Sequence, residues 1–382
     1  MTRSAIYLDH NAASPLLPEA RAALIAALDL VGNPASVHGH GRALRNLVET
    51  ARGQVAALVG AERKQVVFTG SATEAITQAI VGGAKTFASN AVVVSAGEHT
   101  AALRAAEATG LPVLTIGLLA DGSIDLDQLA LCLAQADAAG QTLLVALHWV
   151  NNETGVVQPI ERINGLVGPT RHRLFIDAAQ AFGKLPLEFA ASAPDMMAIG
   201  GHKIGAPAGI GALLVKSHAD TVRLIPGGGQ EQGRRGGTEA AALIAGFGAA
   251  AAAFEERYTQ AKVPGLLARL EADLRVIAPD LVVFGADRVG NVSNFAVPGV
   301  RNTTAMMGLD LLGLSVSAGS ACSSGKIGPS HVLAAMGVAP QLAECALRVS
   351  LGWTSGIGDI DAFVAGYRSI LLRQKARHEQ AA

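Results

Sequence analysis

Met196-Met197-Ala198-Ile199-Gly200-Gly201-His202-Lys203 is the stretch from which the fold is read. Four apolar residues without a polar break mark a strand, two glycines end it, and a lysine comes soon after. Ligands of open α/β sheets bind beyond the carboxyl ends of the strands, so Lys203 stands where a ligand would sit. Downstream, a Gly/Pro loop leads to a second strand candidate, Gly211-Ala212-Leu213-Leu214-Val215. Upstream, the same kind of short run recurs at Val66-Val67-Phe68-Thr69, Val92-Val93-Val94-Ser95, Val113-Leu114-Thr115-Ile116, Leu143-Leu144-Val145-Ala146-Leu147 and Leu174-Phe175-Ile176. Helix-forming segments, residues 73–85 and 100–109 among them, separate several of these runs. The region therefore reads as repeated β-α-β crossovers, a mainly parallel sheet with helices on both faces.

Beyond it, residues 240–277 turn helical, followed by strands expected at 281–284 and 292–297, a helix near 303–312 and a last helix near 360–373. This second region reads as a smaller α+β unit with a soft boundary. Two Gly-rich segments, 226–238 and 317–330, cannot be helix interiors and are expected as surface or active-site loops.

Composition excludes several classes. Only 16% of the 382 residues are charged and the formal net charge is −1, so no sequence-wide field exists to hold nucleic acid or an anionic bilayer. No run of about eighteen apolar residues or secretory leader is seen, and the chain reads as cytosolic. Cys132, Cys322 and Cys345 are odd in number and widely spaced, which fits neither a disulfide framework nor a zinc site, and no metal is expected.

Three features at strand ends suggest carbonyl chemistry. A partly desolvated ε-amine at Lys203 can condense with an aldehyde, although a lone loop lysine is more commonly solvated. Asp177 follows Leu174-Phe175-Ile176 and would point into the same crevice; it suits the carboxylate that pyridoxal phosphate needs against its ring nitrogen, or equally a helix N-cap. Thr69-Gly70-Ser71-Ala72-Thr73-Glu74 leaves a strand and opens a helix, which offers either an anion seat or simple capping. Seat, acid and lysine in one alternating run favour the cofactor reading.

The chain resembles, over nearly its whole length, the cysteine desulfurases, the NifS/IscS-like branch of the class V pyridoxal-phosphate aminotransferases. The motifs are Tyr7-Leu8-Asp9-His10-Asn11-Ala12-Ala13, Gly32-Asn33-Pro34, Glu98-His99, Val150-Asn151-Asn152-Glu153-Thr154-Gly155, Gly201-His202-Lys203, Gly319-Ser320-Ala321-Cys322 and Arg348-Val349-Ser350. The resemblance implies the type I fold of pyridoxal-phosphate-dependent transferases, with a seven-stranded large domain at residues 16–255 and a small domain formed by 1–15 and 256–382. It implies pyridoxal 5'-phosphate bonded to Lys203, with Asp177 at the ring nitrogen, His99 stacked on the ring and able to move a proton, and Asn152 and Gln180 near the phenolic oxygen. Ala72, Thr73 and His202 would hold the phosphate, joined by Thr238 from a partner subunit, so a homodimer with shared sites is expected. Asn152 and Arg348 would take the substrate carboxylate.

Cys322, in its Gly/Ser-rich loop, is similar to the nucleophile that removes sulfur from L-cysteine, leaving alanine and a persulfide for an acceptor protein such as an iron-sulfur scaffold. Cys132 and Cys345 suit buried structural thiols better. The rivals are a selenocysteine lyase or another class V enzyme, and a non-catalytic cofactor-binding relative. Three departures stand out: Gly200 replaces a phosphate-binding serine, Ile204-Gly205-Ala206-Pro207-Ala208-Gly209 breaks the usual order after the lysine, and Trp149 stands where relatives carry histidine or a smaller residue.

Overall fold

The computed structural model describes residues 5–192, 194–318 and 330–381, with side chains through 376. After the short strand β1 (Ile6–Tyr7), the chain builds a seven-stranded sheet from β2 (Val66–Thr69), β3 (Ala91–Ser95), β4 (Val113–Ile116), β5 (Leu143–His148), β6 (Arg173–Asp177), β7 (Met196–Gly200) and β8 (Gly211–Val215). The order is β2-β8-β7-β6-β5-β3-β4. Pairs from β4 through β7 are parallel, and β8 alone runs against its neighbours β7 and β2. Hence the carboxyl ends of β2, β3, β5, β6 and β7 all open on one edge.

The unbroken apolar runs are explained by burial on both faces. Leu143, Val145 and Leu147 point into one core with Val66 and Val93, while Leu144 and Ala146 point into a second with Val67, Val92 and Val94. The helix expected at 73–85 starts at Ala72, passes through a π turn at Gln78–Gly82 and ends at Thr86. The helix Gly39–Leu58 packs on Ala241–Gln260 so closely that a Cβ on Gly248 would lie 2.5 Å from the Ala51 Cα.

The helical stretch expected over 240–277 is two helices, Ala241–Gln260 and Val263–Ile277, broken where Lys262 takes φ 51°. Beyond lie β9 (Val282–Val283), β10 (Val292–Ala296), β11 (Leu314–Ser315) and β12 (Ala346–Ser350). β12, β10 and β9 form an antiparallel sheet, and β11 pairs with β1. A third core gathers Leu8, Val263, Phe295, Leu347, Phe363 and Tyr367, which brings the start of the chain against its end. The last helix, Ile357–Ala381, is longer than expected. No helix among the described residues is long and apolar enough to cross a membrane.

The Gly-rich segment 226–238 is a loop around a 3₁₀ turn, Gln230–Gly233, in which Glu231 and Gln232 hold φ of 49° and 57°. Left-handed backbone is uncommon at such residues. A buried anchor holds it: the Glu231 carboxylate accepts from Arg52 Nη1 at 2.7 Å and Nη2 at 2.8 Å, and from the Phe68 amide at 3.0 Å. The loop is thus bolted to β2. Of the second Gly-rich segment, residues 319–329, and with them Cys322, lie outside the described residues.

Candidate active site

At the shared edge of the sheet lies a cavity of about 270 Å³. Lys203, Asp177, His202, His99, Gln180, Asn152, Ala72, Thr73 and Arg348 all line it. These nine come from strand ends and from β12, separated by as much as the span from residue 72 to residue 348. Thr238 does not line the cavity and is exposed.

Lys203 closes the 3₁₀ turn Gly201–Lys203 directly after β7. Its Nζ donates to the carbonyls of Asn11 at 2.6 Å and Ala12 at 3.0 Å. Asp177 is the last residue of β6 and its Oδ1 accepts from the Ala179 amide at 2.9 Å. The chain then enters a turn rather than a helix, so Asp177 is no helix cap. Burial pushes its carboxyl above the usual aspartate range, against smaller pulls downward from the Ala179 hydrogen bond and from His99. Among the described residues it has no ion-pair partner.

The capping reading of the Thr69–Glu74 turn is seen directly. Ser71 Oγ accepts from the Glu74 amide at 3.1 Å and Glu74 Oε2 accepts from the Gly70 amide at 2.8 Å, which is a reciprocal cap. The first-turn amides of Ala72 and Thr73 have no intrahelical acceptor by position, and both residues line the cavity. His99 likewise caps the helix Thr100–Ala108, its Nδ1 accepting from the Ala101 amide at 3.1 Å, while its ring lines the cavity. Burial, then Lys203 and Lys184, hold His202 down at about 4, so its imidazole is neutral at neutral pH. A Cβ on Gly200 would sit 3.2 Å from the Ala72 Cβ, so glycine keeps that corner open but supplies no hydroxyl.

Arg348, which read alone suggests a surface charge, is 2% exposed. It donates to Asp9 Oδ1 at 2.7 Å and to the Asn152 carbonyl at 3.0 Å. Its Nε is buried with no hydrogen-bond partner among the described residues. An incoming carboxylate is the natural acceptor for such a group.

Several participants were given no role in the sequence reading, although Asn11 lies inside one of its motifs. Asn11 accepts on its carbonyl from Lys203 and from Gln180 Nε2 at 3.0 Å, and on Oδ1 from Lys184 at 3.2 Å and Asn291 at 2.9 Å. Its amide donates to Ser350 Oγ and its Nδ2 to the Asn152 carbonyl. One residue therefore ties the first segment to both sheets. Lys184 is half-buried, and desolvation of its amine, then Lys203 and Arg348, put it well below the ordinary lysine range. His148 lines the cavity between Glu98, 2.7 Å from its Nδ1, and Gln158, whose Nε2 donates to its Nε2 at 3.1 Å. That pairing puts the ring proton on Nδ1. Among the described residues no cluster could hold a metal ion. Cys345 is buried, but Cys132 is only half-buried, so the structural-thiol reading fits it less well.

The family model of the class-V aminotransferases matches residues 6–363. A cysteine desulfurase of Trichormus azollae is 38% identical over 98% of this chain and 94% of its own. A solved NifS-like protein of Rickettsia africae superposes with a TM-score of 0.86 at 31% identity, covering 96% of this chain and 99% of that one. A structure described as SspA in complex with cysteine gives 0.79 at 29% identity, over 91% and 99%. With the sheet order, the lysine and the aspartate at adjacent strand ends and a match that runs almost from end to end, the chain belongs to the class-V aminotransferase family.

Proposed function

We propose that the protein is a pyridoxal-phosphate-dependent cysteine desulfurase that converts L-cysteine to L-alanine and passes the sulfur to Cys322. One observation carries the cofactor assignment: a buried carboxylate, Asp177, lines a cavity shared with Lys203, forms no ion pair among the described residues, and feels only pulls from His99 and His148 that its burial outweighs. A buried carboxylate so weakly offset is costly, and a protonated ring nitrogen would be a fitting partner. The fit extends to the amides of Ala72 and Thr73 and the ring of His202, which suit a phosphate.

When bound, the cofactor supplies an electron sink for the bonds at the substrate Cα. The chain's own residues do the rest. Lys203 holds the cofactor and afterwards carries the Cα proton on its Nζ. Arg348 and Asn152 take the substrate carboxylate, which orients the Cα–H bond toward that amine. His99 Nδ1 is occupied by the Ala101 amide, so proton transfer with the substrate thiol falls to Nε2. The Cys322 thiolate attacks the substrate sulfur; the carbon–sulfur bond breaks as the sulfur–sulfur bond forms, and reprotonation at carbon gives alanine. Cysteine and one enzyme thiol become alanine and one persulfide.

A homodimer and a sulfur acceptor complete the proposal. Thr238, exposed and outside its own cavity, would reach the cavity of a second copy; exposed Leu28, Val31 and Val37 give that homodimer an apolar surface to bury. The acceptor of the persulfide sulfur would be a protein, an iron-sulfur scaffold being the class that fits the relatives. The test is incubation of purified holoenzyme with L-cysteine, followed by alanine assay and intact-mass mapping. A gain of one sulfur atom at Cys322 with alanine formed in step is expected; alanine without any labelled thiol, or selenide release alone, overturns the reading.

A further inference from the structure

Lys184 stands one layer behind the cavity wall, and nothing in the reaction outlined above uses it. Its Nζ lies 2.8 Å from Gln180 Oε1 and 3.2 Å from Asn11 Oδ1. Both contacts require Lys184 to donate, since each oxygen can only accept, and an amine has enough N–H groups for both whether or not it is protonated. The Asn11 oxygen is in addition held by Asn291 Nδ2 at 2.9 Å, so the lysine's anchor is itself fixed. Gln180, by contrast, lines the cavity and is 5% exposed.

A glutamine amide has two faces of nearly equal shape, and which one meets a ligand depends on what fixes its oxygen. Here Oε1 is turned back to Lys184 and Nε2 is turned to the Asn11 carbonyl, the acceptor it shares with Lys203. A flipped amide would set its NH₂ group against the donors of Lys184 and its oxygen against the Asn11 carbonyl, losing two hydrogen bonds and creating two mismatched contacts. We propose that Lys184 is a positioning residue that locks the Gln180 amide with its N–H groups facing the cavity, so that Gln180 meets the bound cofactor as a donor and never as an acceptor.

The inference rests on the proposed contact of Gln180 with the cofactor's phenolic oxygen. A donor at that oxygen stabilises its anionic form and so lowers the pH at which the holoenzyme's near-visible absorption changes. The measurement is that absorbance midpoint in wild-type, Q180A, K184M and Q180A/K184M holoenzymes, with cofactor affinity read in parallel by fluorescence. K184M keeps the length and apolar stem of the side chain and removes only its donors; K184A serves in the same comparison should the methionine variant not fold. Q180A and K184M should each raise the midpoint by about one pH unit, and the double variant should move no further than Q180A. A midpoint unmoved by K184M while Q180A shifts it overturns the lock and leaves the Gln180 contact standing. A midpoint unmoved by Q180A overturns the Gln180 contact and the lock with it. Additive shifts overturn the lock in favour of a direct field of Lys184 on the cavity, and lowered melting temperature with no shift reduces Lys184 to a packing residue.

Discussion

Arg348 and Asp9 form an ion pair at 2.7 Å that joins the smaller sheet to the first segment of the chain, with the arginine 2% exposed and its Nε unpartnered among the described residues. The guanidinium is thus held in place before any substrate arrives. R348A should raise KM for L-cysteine about 10- to 100-fold with a smaller effect on kcat, and R348K should not restore it, because a point charge cannot reproduce the planar fork. Steady-state kinetics decides; a lysine variant with wild-type KM would remove Arg348 from carboxylate binding.

Arg52 and Glu231 form the second buried pair, and here the consequence is structural. Truncating one partner strands the other charge, and Glu231 also accepts the Phe68 amide while holding a left-handed backbone. E231A should cost about 3–5 kcal/mol in urea unfolding. It should also loosen the loop that carries Thr238. An unchanged unfolding midpoint would mean that the loop is held by other contacts.

Two histidines make stability depend on pH. Burial first, then Lys184, lowers His10 to about 4, and burial with Lys203 does the same for His202. The folded state binds those protons less readily than the unfolded chain, whose histidines titrate near 6.5. The stabilising contribution is therefore full above about pH 6.5 and is lost as pH falls through about 4, amounting to roughly 2–3 kcal/mol for each residue. The urea midpoint of the apoprotein should drop between pH 7 and pH 4.5, and H10N should flatten the drop. An identical pH slope in H10N would refute the contribution of His10.

The sheet was legible because every strand but the edge strand β4 is buried on both faces, which leaves runs such as Val92-Val93-Val94 without a polar break, and because Gly200 and Gly70 punctuate strand ends beside the cavity. Lys203, Asp177 and Thr73 were readable for the same reason: each lies at or just beyond a strand end. Gly39–Leu58 was not, since it opens on a histidine cap, His38 Nδ1 accepting from the Gly41 amide, and its exposed face dilutes the apolar signal. The break at Lys262 is announced by Pro264, at the start of the following helix, a start signal that the reading of 240–277 as one helical stretch passed over. Asp9 and Asn11 stood in a quoted motif but without a role, because their meaning lies in partners that only folding supplies, Arg348 and Ser350, each 339 residues away; Lys184 stood in no motif.

Asp177 provides a test in which the apoprotein and the holoenzyme must respond in opposite directions. In the apoprotein its carboxyl titrates above the ordinary aspartate value because burial penalises the charge. An acid whose folded pKa is raised is proton-rich relative to the unfolded chain, so its contribution favours the fold at low pH and is lost as pH rises past the unfolded value near 3.9. Above that value the raised carboxyl therefore costs the apoprotein stability. D177N removes the titrating group while its Oδ1 can still accept from the Ala179 amide, so apo D177N should melt about 2–5 °C above the apo wild type. Loaded with pyridoxal phosphate the order should reverse, because only the carboxylate can neutralise a protonated ring nitrogen, and the gain in melting temperature on loading should shrink in the variant along with at least a hundredfold loss of alanine formation, on the order of 3 kcal/mol in the barrier. Melting curves of both proteins, with and without cofactor, give four temperatures. Equal gains on loading would separate Asp177 from the cofactor altogether, whatever the activities show.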